Sequence, residues 1–389
     1  MRILMLTSSF HPVIGGAETY AFEIARGLAG AGHTVWVVTD LPRGIPADAD
    51  VPGDPEGVVV RRLHRFQADL EDAAKIRWEQ MAHGLHTELA ACLEEARPDV
   101  VMTNSLDTAV LGKTLAIAAG IPWAASFHEQ DPGGEPLGEA RMRLVYGLLA
   151  PRLVLACSEP FAERARRWGS KDRTVLVHHG VDTDLFHPGR ASDAVRRRYG
   201  IADESLLVVS AGRLKARKGH LETIRAFAQL HAKFPEARLL IVGSVNSASE
   251  EYAGRLESEL DRLGLRELAQ IDRDVTFDGM PGILASADIV SQPSHAEGLS
   301  LALLEALSSG RATVATDIPG TREILPVPGI AEVVPPQEVA PLAEALIRLA
   351  GDRALRDAYG RRARAHVEES FSCRRMVEET AALLSGLIE

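Results

Sequence analysis

Two glutamates eight positions apart, Glu297 and Glu305, flank a turn, Gly298-Leu299-Ser300, that opens into a run of good helix formers, Leu301-Ala302-Leu303-Leu304-Glu305-Ala306-Leu307. Leu301, Leu304 and Leu307 are spaced for one helical face, and Gly310 stands where a helix stop is expected. The amides of the turn are therefore expected at a helix N-terminus, where unpaired N–H groups and a partial positive charge suit phosphate. Carboxylates accept hydrogen bonds and donate none, so the natural partners of the two glutamates are hydroxyl pairs. Phosphate between two sets of hydroxyls is the chemistry of a nucleotide sugar. An ordinary amphipathic helix with one loop carboxylate and one surface carboxylate is the alternative reading of the same residues.

A second anion-binding stretch is Gly212-Arg213-Leu214-Lys215-Ala216-Arg217-Lys218-Gly219, a basic loop between an apolar strand and the helix that starts near Leu221. Arg213 offers a planar fork and Lys218 a point charge; a solvated basic loop is the competing reading. A third is Ser8 to Glu18, where Gly15-Gly16 lies between the first strand and the first helix. Two glycines let a backbone approach an anion closely, or form a plain tight turn, and the pattern is not the G-x-G-x-x-G of dinucleotide binders. His128 ends an apolar run from Trp123 to Glu129, and Asn104 ends the run from Asp99. Ligands of parallel α/β sheets sit beyond such strand ends, which keeps a functional role for His128 open beside a structural one.

These stretches need strands and helices to hold them. The chain has 389 residues, enough for two domains of roughly 190 each. Apolar runs alternate with helical stretches throughout, and Val275-Thr276-Phe277 is among the expected strands. The order gives two doubly wound parallel sheets, with the crossing between domains in residues 183–200. No apolar run approaches the roughly 20 residues of a membrane span. Met1–Thr7 reads as a buried strand, too quickly polar for a secretory signal. Cys92, Cys157 and Cys373 show neither metal nor disulfide spacing, and a cytoplasmic, reducing location is expected. The net charge of −11 does not suit nucleic acid, or stable binding to an anionic membrane. Residues 1–186 hold 18 Lys and Arg against 25 Asp and Glu, so a small neutral or cationic acceptor is expected there.

Taken together the motifs resemble those of the retaining glycosyltransferases of family 4, which have the GT-B fold. Glu297-x7-Glu305 is similar to the E-x7-E signature, and Gly212-Arg213-Leu214 with Lys218-Gly219 to the phosphate loop. Phe10-His11-Pro12 with Gly15-Gly16-Ala17-Glu18 resembles the N-terminal loop, and His179-Gly180-Val181-Asp182 the interdomain segment. Val314-Ala315-Thr316-Asp317 with Gly320 and Glu323, and Val333-Val334-Pro335-Pro336, match later landmarks in the right order.

The resemblance implies an α/β GT-B architecture of two Rossmann-like domains facing an interdomain cleft. Residues 1–186 would be the acceptor domain and 187–371 the donor domain, with the last helix, about 372–389, returning to the first. It implies transfer of a hexose or N-acetylhexosamine from a nucleotide diphosphate sugar to an acceptor hydroxyl, as in natural-product or glycoconjugate biosynthesis. Arg213 and Lys218 would hold the diphosphate and neutralise the leaving group. Glu305 would bind the ribose and Glu297 the transferred sugar, with the amides of Gly298, Leu299, Ser300 and Leu301 against sugar and phosphate. Gly16 would approach the phosphate from the N-terminal domain, and His128 would stand beside the reacting sugar. The implied catalytic set is thus His128, Glu297, Arg213 and Lys218. No cofactor or metal is expected, and a UDP-sugar is expected ahead of a GDP-sugar. Residues 243–246 and 278–282 depart from the family pattern where it faces the base. Asp48-x-Asp50, Asp182-x-Asp184 and Asp272-x-Asp274 imitate a metal-binding DxD and are read as loop or linker decoys. A nucleotide-sugar epimerase or a phosphorylase on the same fold, or a non-catalytic sugar-nucleotide binder, are the rival readings.

Overall fold

Short runs rich in Val, Ile, Leu, Met and Ala form parallel strands here, because the chain crosses back between them rather than turning in hairpins. The computed structural model describes residues 1–13, 15–41, 51–63, 78–128, 138–244 and 250–389. The chain divides into one unit of Met1–His179 with Cys373–Glu389 and another of Gly180–Ser372.

The first unit holds β1 (Arg2–Leu6), β2 (Thr34–Asp40), β3 (Val58–Leu63), β4 (Val100–Thr103), β5 (Trp123–Ala125), β6 (Leu153–Ala156) and β7 (Thr174–Leu176). They pair in parallel in the order β3-β2-β1-β4-β5-β6-β7. Side chains alternate between the faces of a strand. Ile3, Met5, Val35, Val37, Val100 and Met102 therefore pack under the helices Gly16–Gly30 and Cys373–Ile388. Leu4, Leu6, Trp36, Val38 and Val101 pack on the other side with Leu85 and Leu89 of the helix Trp78–Ala96 and Leu115 of the helix Ala109–Ala119. Gly27 lets the C-terminal helix come close: a Cβ there would stand 2.3 Å from a methyl of Val377.

The second unit holds β8 (Leu207–Ala211), β9 (Arg238–Val242), β10 (Ala269–Asp272), β11 (Ile289–Gln292), β12 (Ala312–Thr316) and β13 (Glu332–Val334), all parallel in the order β10-β9-β8-β11-β12-β13. Val208, Leu239, Ile241 and Val314 face Ile224, Phe227 and Leu230 of the helix His220–His231, and Leu342 and Leu346 of the helix Val339–Gly351. Leu207, Val209, Leu240 and Val290 face Leu303, Leu304 and Leu307 of the helix Leu301–Ser308. Each sheet reverses its direction of growth once, at β1/β4 and at β8/β11. Loops part at such a switch point, and the crevice beyond the strand ends is where open α/β sheets take ligands.

Several elements differ from the sequence reading. Val275–Phe277 is not a strand; the edge is β10, where Gln270 and Asp272 alternate with Ala269 and Ile271. An edge strand covered on one face lacks the continuous apolar run that marks a central one. The strand at Trp123 stops at Ala125, and Ser126–His128 leaves the sheet. The strand near Val175 ends at Leu176. The helix at Gly138–Met142 widens into a π turn over Arg143–Leu149, and the one at Glu159–Ala165 does so over Arg166–Ser170. Asp48-x-Asp50 lies outside the described residues. Among those described, no helix is long and apolar enough to cross a membrane.

Candidate functional site

The helix Leu301–Ser308 starts where Ser300 supplies its hydroxyl oxygen to the amide of Leu303 at 3.3 Å, a serine cap. It ends at Gly310, whose φ of +66° lets its amide reach the carbonyl of Leu307 at 3.0 Å, with that of Arg311 on Ala306 at 3.3 Å. This is the left-handed glycine closure expected there. Among the described residues the amides of Leu299, Ser300 and Leu301 donate to no acceptor. The turn lies just beyond β11, and Gln292 ties that strand end to β8 through a 2.9 Å bond to the carbonyl of Ala211. The basic loop leaves β8 at the same place. The two candidate anion loops thus flank the switch point of the sheet.

They meet through charge and through backbone. Arg217 Nη1 lies 2.7 Å from Glu297 Oε2 and 3.0 Å from the carbonyl of Ala296. Lys218 Nζ is paired with Glu297 Oε1, to which Ser294 also donates at 3.0 Å. The side chains of Glu297 and Lys218 are 7% and 11% exposed. Burial alone would raise the Glu297 carboxyl, but Lys218 and Arg217 more than offset this and hold it below the usual carboxylate range. Burial pulls the Lys218 ammonium down, and Glu297 opposes it. The amide of His295 donates to the carbonyl of Arg217 at 2.7 Å. Gly219, at φ +73°, presses on Pro293, where a Cβ would stand 2.1 Å from the carbonyl oxygen. A Cβ on Gly320 would stand 2.4 Å from the carbonyl oxygen of Gly298. Only glycine allows these approaches.

The sequence reading chose Arg213 and Lys218 from the basic loop. Lys218 joins Glu297, but the side chain of Arg213 is exposed and meets no carboxylate among the described residues. Arg217 takes that place beside Glu297, and the loop sequence offered no spacing rule to choose between the two arginines. What is held at Arg213 is its backbone. Its carbonyl accepts from His220 Nε2 at 3.3 Å and from the amide of Lys215 at 2.7 Å. His220 is fully buried, bonds Ser210 Oγ through Nδ1 at 2.9 Å, and is pushed by burial down to about 4. Glu305 lies in the second turn of the helix, partly exposed.

In the first unit Gly16 begins the helix Gly16–Gly30, with extended Gly15 before it. At the β1/β4 switch point Ser8 donates its amide to Ser105 Oγ at 3.2 Å. Asn104 donates its side-chain amide to the carbonyl of Ala17 at 3.2 Å. His128 Nε2 lies 2.9 Å from both Asn104 Oδ1 and Ser126 Oγ, and its Nδ1 lies 3.0 Å from His179 Nε2. The Tyr20 ring covers both imidazoles, with centroids 4.2 and 4.7 Å away. Sequence reasoning placed His179 in an interdomain segment and did not foresee this contact. His128, Cys157 and His179 each bring one potential ligand atom within 4.8 Å of the others. The facing nitrogens of the two rings are hydrogen-bonded to each other, so this is a polar cluster rather than a metal set.

The two described DxD pairs are engaged locally. Asp182 Oδ1 accepts from the amides of Asp184 and Leu185. Asp272 sits at the end of β10, not in a loop, and holds Arg198 and the Tyr199 hydroxyl.

Comparison with known proteins follows the same division. Residues 191–366 match the model described as glycosyl transferases group 1, and residues 14–185 the model described as glycosyltransferase family 4. A GDP-mannose-dependent monoacylated alpha-(1-6)-phosphatidylinositol monomannoside mannosyltransferase of Corynebacterium glutamicum is 29% identical over 99% of this chain and 98% of its own. A D-inositol 3-phosphate glycosyltransferase of Xylanimonas cellulosilytica is 28% identical over 83% of this chain and 82% of its own. The crystal structure of Anabaena HepE with UDP and glucose covers both chains fully with a TM-score of 0.79 at 22% identity. Sucrose-phosphate synthase of Thermosynechococcus elongatus gives 0.80 at 20% identity, over 100% of this chain and 99% of its own.

Proposed function

Since the chain belongs to the glycosyltransferases of family 4, with the GT-B type of fold, we propose that it moves a hexosyl group from a nucleoside diphosphate sugar to an acceptor hydroxyl with retention at the anomeric carbon. The observation that carries this reading is the cluster of Arg217, Lys218 and Glu297 beside the unpaired amides of Leu299 to Leu301. Departure of the nucleotide builds negative charge on its outer phosphate. Cations and amides already in place stabilise that charge more in the transition state than in the ground state.

The proposed roles are these. Lys218 and Arg213, joined by Arg217, hold the diphosphate. Glu297 accepts from hydroxyls of the transferred sugar, and Glu305 from the ribose. Gly298, Leu299, Ser300 and Leu301 line phosphate and sugar with backbone. Gly16 is proposed for the phosphate and His128 for the sugar. These residues supply the positive charge that a metal ion would otherwise bring, so metal-independent turnover is proposed.

The acceptor proposed is a polyol or polyol phosphate. Inositol phosphate and phosphatidylinositol stand in the relatives' names, which runs against the small neutral or cationic acceptor expected from acidity. The net charge of a whole domain does not report on one binding site. The described residues hold no disulfide, which fits a reducing compartment.

A thermal-shift panel of UDP, GDP, ADP and their hexose conjugates, with and without divalent metal, tests the donor site. A ligand at about 100 times its dissociation constant stabilises by roughly 2.7 kcal/mol, a shift of several degrees. One nucleotide shifting the midpoint equally with chelator supports the reading and names the base. No shift with any of them refutes it. Turnover that requires inorganic phosphate would instead favour a phosphorylase.

A further inference from the structure

The hydrogen bonds around His128 fix its protons. The side-chain amide of Asn104 donates to Ala17, which leaves Oδ1 facing His128 Nε2. A carboxamide oxygen only accepts, so Nε2 carries the hydrogen, and in a neutral imidazole Nδ1 is then a bare lone pair. The group 3.0 Å from that lone pair, His179 Nε2, must be the donor. His179 Nδ1 becomes the second lone pair, and it is buried with no hydrogen-bond partner among the described residues. A buried acceptor left without a partner is costly and calls for an explanation. The explanation available is that the other nitrogen of the ring is committed to His128.

We infer that His179 is a positioning residue for His128: Asn104 sets the Nε2–H tautomer, and the Nε2–H of His179 engages Nδ1 and holds the ring in one plane. The inference rests on the transferase reading, in which His128 stands beside the reacting sugar. Both nitrogens of His128 are then occupied, so the ring acts as an oriented neutral group and neither takes nor gives a proton. A neutral ring also avoids placing positive charge near an anomeric centre that becomes electron-poor during transfer. Burial, then His179 and Arg164, keep His128 uncharged well below the ordinary range. Burial, then His178, holds His179 down to about 3. The groups around the pair are Tyr20 from the helix Gly16–Gly30, Cys157 after β6, Arg164 from the helix Glu159–Ala165, and His178.

The test compares His179→Gln, which can present an amide N–H where Nε2 stood, with His179→Leu, of similar bulk and no donor. His179→Gln is expected to keep kcat within about three-fold, and His179→Leu to lose about 30-fold in kcat with little change in KM. The acid limb of the kcat–pH profile should move up by about one unit in His179→Leu, because the freed Nδ1 of His128 can take a proton. Nitrogen-15 NMR of the imidazoles in the substrate-free protein should show His128 with its hydrogen on Nε2 in the wild type and in His179→Gln. In His179→Leu, where Asn104 still holds the hydrogen on Nε2, it should show the Nδ1 resonance displaced by the loss of its hydrogen-bond donor. Equal damage in both variants with an unmoved acid limb would reduce His179 to packing and overturn the inference, as would a wild-type His128 protonated on Nδ1. Absence of sugar transfer by the wild type overturns the transferase reading itself, whereas normal wild-type turnover with an unchanged His179→Leu profile overturns only the positioning role.

Discussion

Arg217 Nη1 stands 2.7 Å from Oε2 of Glu297 while Lys218 holds the other oxygen, so one buried carboxylate orders two cations. Removing that carboxylate's charge leaves Lys218 buried beside Arg217 with its counter-charge gone. Glu297→Gln is therefore expected to destabilise the second unit by about 3 kcal/mol, the range for breaking a buried pair from one side. Urea unfolding of the variant and the wild type measures it, and a difference near zero would mean that the pair is solvated in solution.

The roles proposed for Lys218 and Glu305 separate catalysis from binding. Lys218→Ala removes a charge aimed at the leaving phosphate and should cut kcat by about 100-fold or more. Glu305→Ala removes an acceptor for two hydroxyls, worth about 2 kcal/mol, and should weaken nucleotide binding about 30-fold. Alanine is the best helix former, so the helix Leu301–Ser308 should survive the second change with an almost unaltered melting midpoint. Titration calorimetry with the nucleotide and initial rates distinguish the two effects. Wild-type rates in both variants would remove these residues from the site.

His220 makes the basic loop acid-sensitive. In the unfolded chain its imidazole takes a proton near 6.5, but in the fold only at about 4. Between those values the unfolded state binds more protons. Stability is therefore full above 6.5, falls as the pH drops toward 4, and levels off below, by roughly 3 kcal/mol in all. His220→Gln can still donate to the carbonyl of Arg213 and should flatten that slope. Thermal midpoints across the pH range report it.

Gly219 is the tightest crossing between the loops, with a positive φ and the Pro293 carbonyl where a side chain would go. Gly219→Ala must strain the backbone and part the loops, at a cost of about 3 kcal/mol. Nucleotide binding should fall with stability. Gly254→Ala, on an open helical face with nothing within 4 Å, is the control and should be neutral or slightly stabilising.

Local features of the sequence carried most of the architecture. The Glu297–Gly310 stretch reads as a helix because its opening turn, apolar spacing and terminal glycine all lie within one short window, and the structure has that helix at Leu301–Ser308. The central strands read equally well, because strands buried on both faces are continuously apolar. The half-covered edge β10 does not, and the sequence points to Val275–Phe277 instead. Partners far apart in the chain were the least legible. Arg217 and Glu297 are 80 positions apart and His128 and His179 are 51 apart. No periodicity links them, and only the folded sheets bring each pair together.

The first unit is assembled from both ends of the sequence, with Cys373–Ile388 lying against Gly27. On the ribosome, Gly180–Ser372 emerges as one uninterrupted stretch and can fold as it appears. The apolar flank of the helix Gly16–Gly30 stays uncovered until the last helix follows about 200 residues after β7, an interval on the order of 10–40 s. During synthesis the nascent chain therefore carries a finished second unit beside an unfinished first one. A premature stop before Cys373 would fix it in that state, a target for chaperones and proteases however sound its second unit.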